Sequence, residues 1–364
     1  MATSIKLTSG SILAGNPITF EIDPRELDNP SFHRVIVEVE CGMSGGNFET
    51  IKLTAPVTKE SVNTRVNVDI SSALRVPFDD YEYTPDPTTY PFVKFNVKAY
   101  DEYMDSKGEV HTLDGIVYYP QNPNLLPDDR RDEAYLRTIF GAFSDIERIT
   151  SGPTKGVTTL SRKPTTTPHL AVLGETFAYT PPYSTEQKLE QSSALTAPQS
   201  KVVTIPKEGA QTLGYQSIYA LPASEAKNRQ TFRFINSFGV LESISIPKAS
   251  QKKIAITSNQ YVVARQETFN SFSHGIVRKQ NNRESWSFAT DPLDEAWLSW
   301  YHHEFLMAEH VWLYLPSSEG QGGGSWLRVH ITPEEETTFL DRTKNEVFMV
   351  SFTAQLDING SPLL

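Results

Sequence analysis

Two imidazole-carboxylate groupings, His302-His303-Glu304 and Glu309-His310, lie within one short stretch. If that stretch is helical, His303 and His310 share a face, and two imidazoles near carboxylates are a zinc-type donor set. The zinc-protease pattern, however, places its second histidine four residues after the first. Counted from His303, that position is Met307. His303 and His310 therefore stand as candidate metal ligands against a plainer reading, in which imidazoles near a helix C-terminus are favoured by its dipole.

Other groups offer less. The carboxylates Asp79-Asp80, Asp128-Asp129 with Asp132-Glu133, and Glu334-Glu335-Glu336 invite a glycosidase or calcium reading. A glycosidase needs two carboxylates at a defined separation across one bond, and solvated loop and first-turn charge is the plainer account of these runs. Asp357-Ile358-Asn359-Gly360 opens like a calcium loop but lacks a twelfth-position glutamate. Gly322-Gly323-Gly324 lacks the Lys-Ser or Lys-Thr of a phosphate loop and reads as a hairpin tip. Ser271-Phe272-Ser273-His274 has no glycine-flanked serine elbow. The expectation is a protein without catalytic residues or cofactor. Tyr81, Tyr83, Tyr90 and Tyr103 fall near expected loops. There they would be able to stack on sugar rings, although aromatic residues on strands are more often core.

The elements that would position these residues are mostly strands. Arg283 to Thr290 alternates large apolar with polar side chains, the period of a half-buried strand. Asp291-Pro292 then predicts a helix start, capped by Asp291 or Thr290 and running to about His310. Leu293, Trp297, Trp300 or Tyr301, and Phe305 would form its buried face. Val311–Leu315 and Trp326–Ile331 predict a hairpin turning through Gly320 to Gly324, and Val347–Leu356 a last strand.

Period-two runs at 18–22, 34–40, 48–53, 66–70, 92–100 and 115–119 predict an N-terminal immunoglobulin- or fibronectin-like β-sandwich over residues 1–120. Residues 78–87 read as a long acidic and aromatic loop. Residues 121–200 predict a short helix around Asp128 to Phe143, then a Pro-, Thr- and Ser-rich linker or arm. Residues 201–364 predict a second β domain, barrel- or sandwich-like, with the single helix at 291–310. The fold class is mainly β.

A net charge of -11 argues against a nucleic-acid surface, which needs clustered Lys and Arg. A single cysteine, Cys41, excludes an intrachain disulfide and a multi-thiolate metal site. No apolar run reaches membrane-spanning length, and Met1 to Lys6 lacks the apolar core of a secretion signal, so synthesis in the cytoplasm is expected.

The segment Trp286-Ser287-Phe288, Trp297-Leu298-Ser299-Trp300, Val311-Trp312-Leu313, Ser325-Trp326-Leu327-Arg328-Val329 and Phe348-Met349-Val350-Ser351-Phe352 resembles the sheet-helix-sheet units of tailed-bacteriophage tail tubes and distal tail rings. The N-terminal sandwich is similar to immunoglobulin-like decorations on tail proteins. This resemblance implies a virion tail, distal-tail, baseplate or adaptor subunit that assembles as a homo-oligomeric ring. Its implied partners are copies of itself and other tail proteins, with Trp312 and Trp326 among the contact candidates. A glycan- or receptor-binding adhesin module of the virion is the alternative, with host surface glycan as partner and Tyr81, Tyr83 and Tyr90 as contacts.

Overall fold

The computed structural model describes residues 4–27, 30–43, 45–58, 65–86, 89–118, 135–141, 160–165, 167–181, 183, 189–214, 216–268, 271–316, 324–333 and 349–356. Side chains of 255–283 and of 194 lie outside that description. The protein is mainly β, as its alternating sequence predicts. It divides into two compact units. One holds residues 1–161, 180–201 and 237–240; the other holds 162–179, 202–236 and 241–364.

In the first unit, β1 (Ser4–Ser9), β2 (Thr19–Asp23) and β5 (Val66–Asp69) form one antiparallel sheet in the order β1-β2-β5. A second sheet runs β4 (Glu49–Pro56), β3 (Phe32–Met43), β6 (Phe92–Met104). The far edge of β6 is shared by three short strands: β7 (Val110–Thr112), β8 (Ile116–Tyr118) and β9 (Leu136–Ile139). Because sequence neighbours separate between sheets in this way, the connectivity is that of an immunoglobulin-like sandwich. Val35, Val37, Val39 and Cys41 of β3 and Val93, Phe95, Val97 and Ala99 of β6 are fully buried at alternate positions.

Helix α1 (Ser71–Asp79) precedes the expected loop and overlaps it at Phe78 and Asp79. Its Pro77 lacks the N–H that would reach the Ala73 carbonyl four residues back. That carbonyl instead accepts the Cys41 thiol at 3.8 Å. Burial pushes the Cys41 thiol up to about 11, so it is a packed thiol rather than a nucleophile. The helix expected around 128–143 is corrected within the described residues, since Leu136–Ile139 is strand β9, paired with Phe92–Phe95. Pairing along β6 prevails there over the helical spacing of Leu136 and Ile139. The stretch expected to be linker also supplies β10 and β11 below, while 142–159 lies outside the described residues.

The second unit has a small sheet of β10 (His169–Val172), β13 (Gly209–Leu213) and β14 (Gln216–Leu221), and a pair of β11 (Thr176–Tyr179) with β12 (Lys201–Thr204). Its main sheet has seven strands. These are β15 (Arg229–Ile235), β16 (Leu241–Pro247), β17 (Gln251–Thr268), β18 (Ser271–Ala289), β19 (Val311–Leu315), β20 (Ser325–Pro333) and β21 (Ser351–Leu356). Their order is β16-β15-β19-β20-β21-β18-β17.

One face of this sheet carries an aromatic core in which Phe232, Phe234, Phe288, Phe305 and Phe352 are at most 3% exposed. Trp286, Trp297, Trp300 and Tyr301 join the same cluster. The cluster centres on α2 (Glu295–Trp300), which continues as a π-turn over Tyr301–Phe305. Helix α2 starts later and stops earlier than the sequence suggests. Pro292 disfavours the helical region for Asp291, and the cap is Asp294, whose Oδ1 accepts the Trp297 N–H at 2.9 Å. At the other end the Leu306 N–H reaches back to Tyr301, and the His310 carbonyl already accepts the Ile235 N–H of the sheet. His310 is therefore on the approach to β19, off the helix. The predicted turn at Gly320 to Gly323 and the first residues of the last strand, 347 and 348, lie outside the described residues.

Candidate assembly site

Strands β17 and β18 form the longest ladder of the protein, in register from Gln251 opposite Ser287 to Thr268 opposite Ser271. On its other side β18 pairs with β21 only over Ser285–Ala289. From Ser271 to Glu284, β18 has no third strand among the described residues, and β17 has none at any point. At about 3.3 Å per residue this two-stranded stretch runs roughly 45 Å. Among the described residues, each of its outer edges carries a row of backbone N–H and C=O groups outside any ladder.

The opposite edge of the same sheet is different. Along β16, side chains take the place of a further strand. The Ser243 carbonyl accepts Lys163 Nζ at 2.8 Å, the Ser245 carbonyl accepts Arg229, and the Ser245 N–H donates to His169 Nε2 at 3.3 Å. The Ser243 hydroxyl accepts the Ala178 N–H at 2.9 Å. These partners are themselves fixed. Lys163 lies between the rings of Phe177, 5.0 Å away, and Trp300, 5.1 Å away, and 4.0 Å from the Glu242 carboxylate. Burial pushes its ammonium down to about 8. Arg229 holds Asp291 with both nitrogens, at 2.9 and 2.7 Å. A strand approaching β16 would have to displace this set. Among the described residues, one edge is sealed and the other open.

His169 gives this seal a pH dependence. Burial, with Lys163 and Arg229 nearby, holds its imidazole well below 6.5. The unfolded chain takes up that proton near its ordinary value while the folded chain does not, so the unfolded state binds more protons and stability falls as pH drops below 6.5. One such group contributes up to about 1.4 kcal/mol per pH unit. His302 and His310, also lowered by burial, add in the same direction, whereas Glu175, raised by burial, opposes it above its ordinary value of 4.5. Melting temperature should therefore fall from pH 7 to 5.5, with a visibly shallower slope in His169→Gln. Equal slopes in the two proteins would contradict this account.

The residues singled out in the sequence are dispersed. His303 is exposed and bonds the Ser299 carbonyl through Nδ1 at 2.8 Å, while His310 Nδ1 meets Arg328 at 3.1 Å. The two do not share a ligand group, because the helix ends before His310. Among the described residues the metal-capable grouping is Asp105, Glu109 and His111 in the β6–β7 turn. There Asp105 already accepts two backbone N–H groups and His111.

Tyr83 and Tyr90 are 4% and 3% exposed, which corrects their assignment as surface contacts. Tyr83 packs on Phe140, Tyr81 lies edge-on to Tyr83, and the Tyr90 N–H bonds Pro198. Tyr103 stacks on His111. Trp312 is 4% exposed, and half-buried Trp326 covers the Arg233 guanidinium at 4.2 Å. Both belong to the packing on the sheet face away from the aromatic core. The acidic runs at 128–133 and 334–336, and Asp357 to Gly360, lie outside the described residues, as do the side chains of Ser271 to His274.

Sequence reasoning missed the length of β17 and β18 and the edge-sealing side chains. No helix among the described residues is long and apolar enough to cross a membrane. No family model matches the chain, and no curated protein shows significant similarity to it.

Proposed function

We propose that this chain is a structural subunit of a bacteriophage tail, in the tail ring, distal tail, baseplate or an adaptor position, and that it acts by homo-oligomeric assembly. The observation that carries the assembly reading is the unaccompanied β17–β18 ribbon. A two-stranded ribbon is at best marginally stable alone in water, and its open edges are templates for strands of another chain. Among the described residues the ribbon offers two different open edges, that of β17 and that of β18 over Ser271–Glu284, and pairing of one with the other is a head-to-tail contact. The tail assignment rests on the sheet-helix-sheet order around Trp286 to Phe352 and on the immunoglobulin-like sandwich that precedes it.

Sedimentation velocity and negative-stain imaging of the full chain test this reading. Closed rings of several subunits are the expected result. A single monomeric species at high protein concentration would end it.

A further inference from the structure

The second unit also contains a cavity of about 280 Å³ that the assembly reading does not use. It lies among the residues entering β10, Tyr219 of β14, Ser245 of β16, and the chain from Asp291 to Tyr301. This volume falls just under the roughly 300–1,000 Å³ of sites that take drug-sized ligands, so it suits one ring rather than a chain of them.

Charge narrows the occupant. Both oxygens of Asp291 are matched by Arg229, and Asp294 accepts the Trp297 N–H at 2.9 Å and the Thr167 hydroxyl at 2.7 Å. No Lys or Arg lines the cavity. Asp291 is neutralised by Arg229, but an anion would meet the Asp294 carboxylate with no cationic side chain lining the cavity to offset it. The occupant is not an anion.

Hydrogen bonding narrows it further. His169, 4% exposed, accepts the Ser245 N–H at Nε2, so its proton is on Nδ1, and Nδ1–H has no partner among the described residues. Tyr301 also lines the cavity, and burial raises the pKa of its hydroxyl, so it stays protonated. Two donors thus belong to an otherwise aromatic and aliphatic lining. Tyr219, 44% exposed, offers a ring face, and Asp294 is an exposed acceptor.

We propose that this cavity binds a single neutral hexose residue, its ring oxygens accepting from His169 Nδ1–H and the Tyr301 hydroxyl and its C–H face lying against Tyr219. A hexose also carries several hydroxyls, any of which can donate to Asp294. A sugar matches all three.

Saturation-transfer NMR on the full chain tests this with glucose, galactose, mannose and their N-acetylated amino forms, beside N-acetylprolinamide and inorganic phosphate. Transfer to at least one sugar is expected. Its affinity should weaken about tenfold in Tyr301→Phe, which keeps the ring, and in Tyr219→Ala, which alters an exposed position. Transfer to no sugar, a preference for N-acetylprolinamide or phosphate, or sugar binding unchanged in both variants would overturn the proposal. The result is independent of oligomeric state, so it leaves the sedimentation test of assembly untouched.

Discussion

Replacing residues 258–280 with an Asn-Gly turn is expected to convert the assembled protein into single subunits while the seven-stranded sheet stays folded. Thr257 and Asn281 face each other in register, so a two-residue turn closes the shortened hairpin without shifting any remaining pair. The segment removed has no third strand among the described residues, while the pairing of β18 with β21 over Ser285–Ala289 is retained. Sedimentation velocity would report the loss of assembly. Circular dichroism and melting temperature would report whether the remaining sheet survives. Rings that persist in this variant would show that subunits meet through another surface, and the ribbon would lose its assigned role.

The sandwich was the most legible part of the sequence. Val35, Val37 and Val39 on β3, and Val93, Phe95 and Val97 on β6, alternate because one face of each strand is buried, and burial writes a period of two. The aromatic core was legible for a similar reason, since Trp297, Trp300, Tyr301 and Phe305 recur at helical spacing. Its boundaries were not. The cap falls on Asp294 rather than on Asp291 or Thr290, and Asp291 is instead held by Arg229, a partner distant in sequence.

The long hairpin left almost no mark. Between Ser258 and Asn282 the sequence mixes Ser, Asn, Gln and Arg with the run Tyr261-Val262-Val263-Ala264, which breaks the alternation by which a half-buried strand is read. The seal on β16 was equally hidden. Lys163, His169 and Arg229 carry no local pattern, and their roles appear only when β10 and β16 are brought together. Tyr83 and Tyr90 show the reverse error, since residues in an acidic, proline-containing stretch read as exposed yet pack inward.

Phe305→Ala is expected to give the largest loss of stability of any single core change in the second unit. Phe305 is fully buried, with ring centroids 5.6 Å from Phe232, 5.3 Å from Phe234, 6.0 Å from Tyr301 and 5.2 Å from Phe352. It thus links the π-turn to β15 and β21, strands that are not neighbours in the sheet. Truncating a buried phenylalanine costs about 3–5 kcal/mol through lost transfer energy and the cavity left behind. Edge-to-face aromatic contacts add about 0.5–1.5 kcal/mol each, which places this position toward the upper end. Against a domain stability of about 5–15 kcal/mol, such a loss is a large fraction of the whole. Two residues along, Met307 is 73% exposed, and Met307→Ala should stay within about 0.5 kcal/mol of the parent protein. Urea denaturation of the two variants separates these outcomes. If Phe305→Ala unfolded within about 1 kcal/mol of the parent, the ring network would not be what binds the π-turn to the sheet, because a hub cannot be removed at the cost of a surface residue.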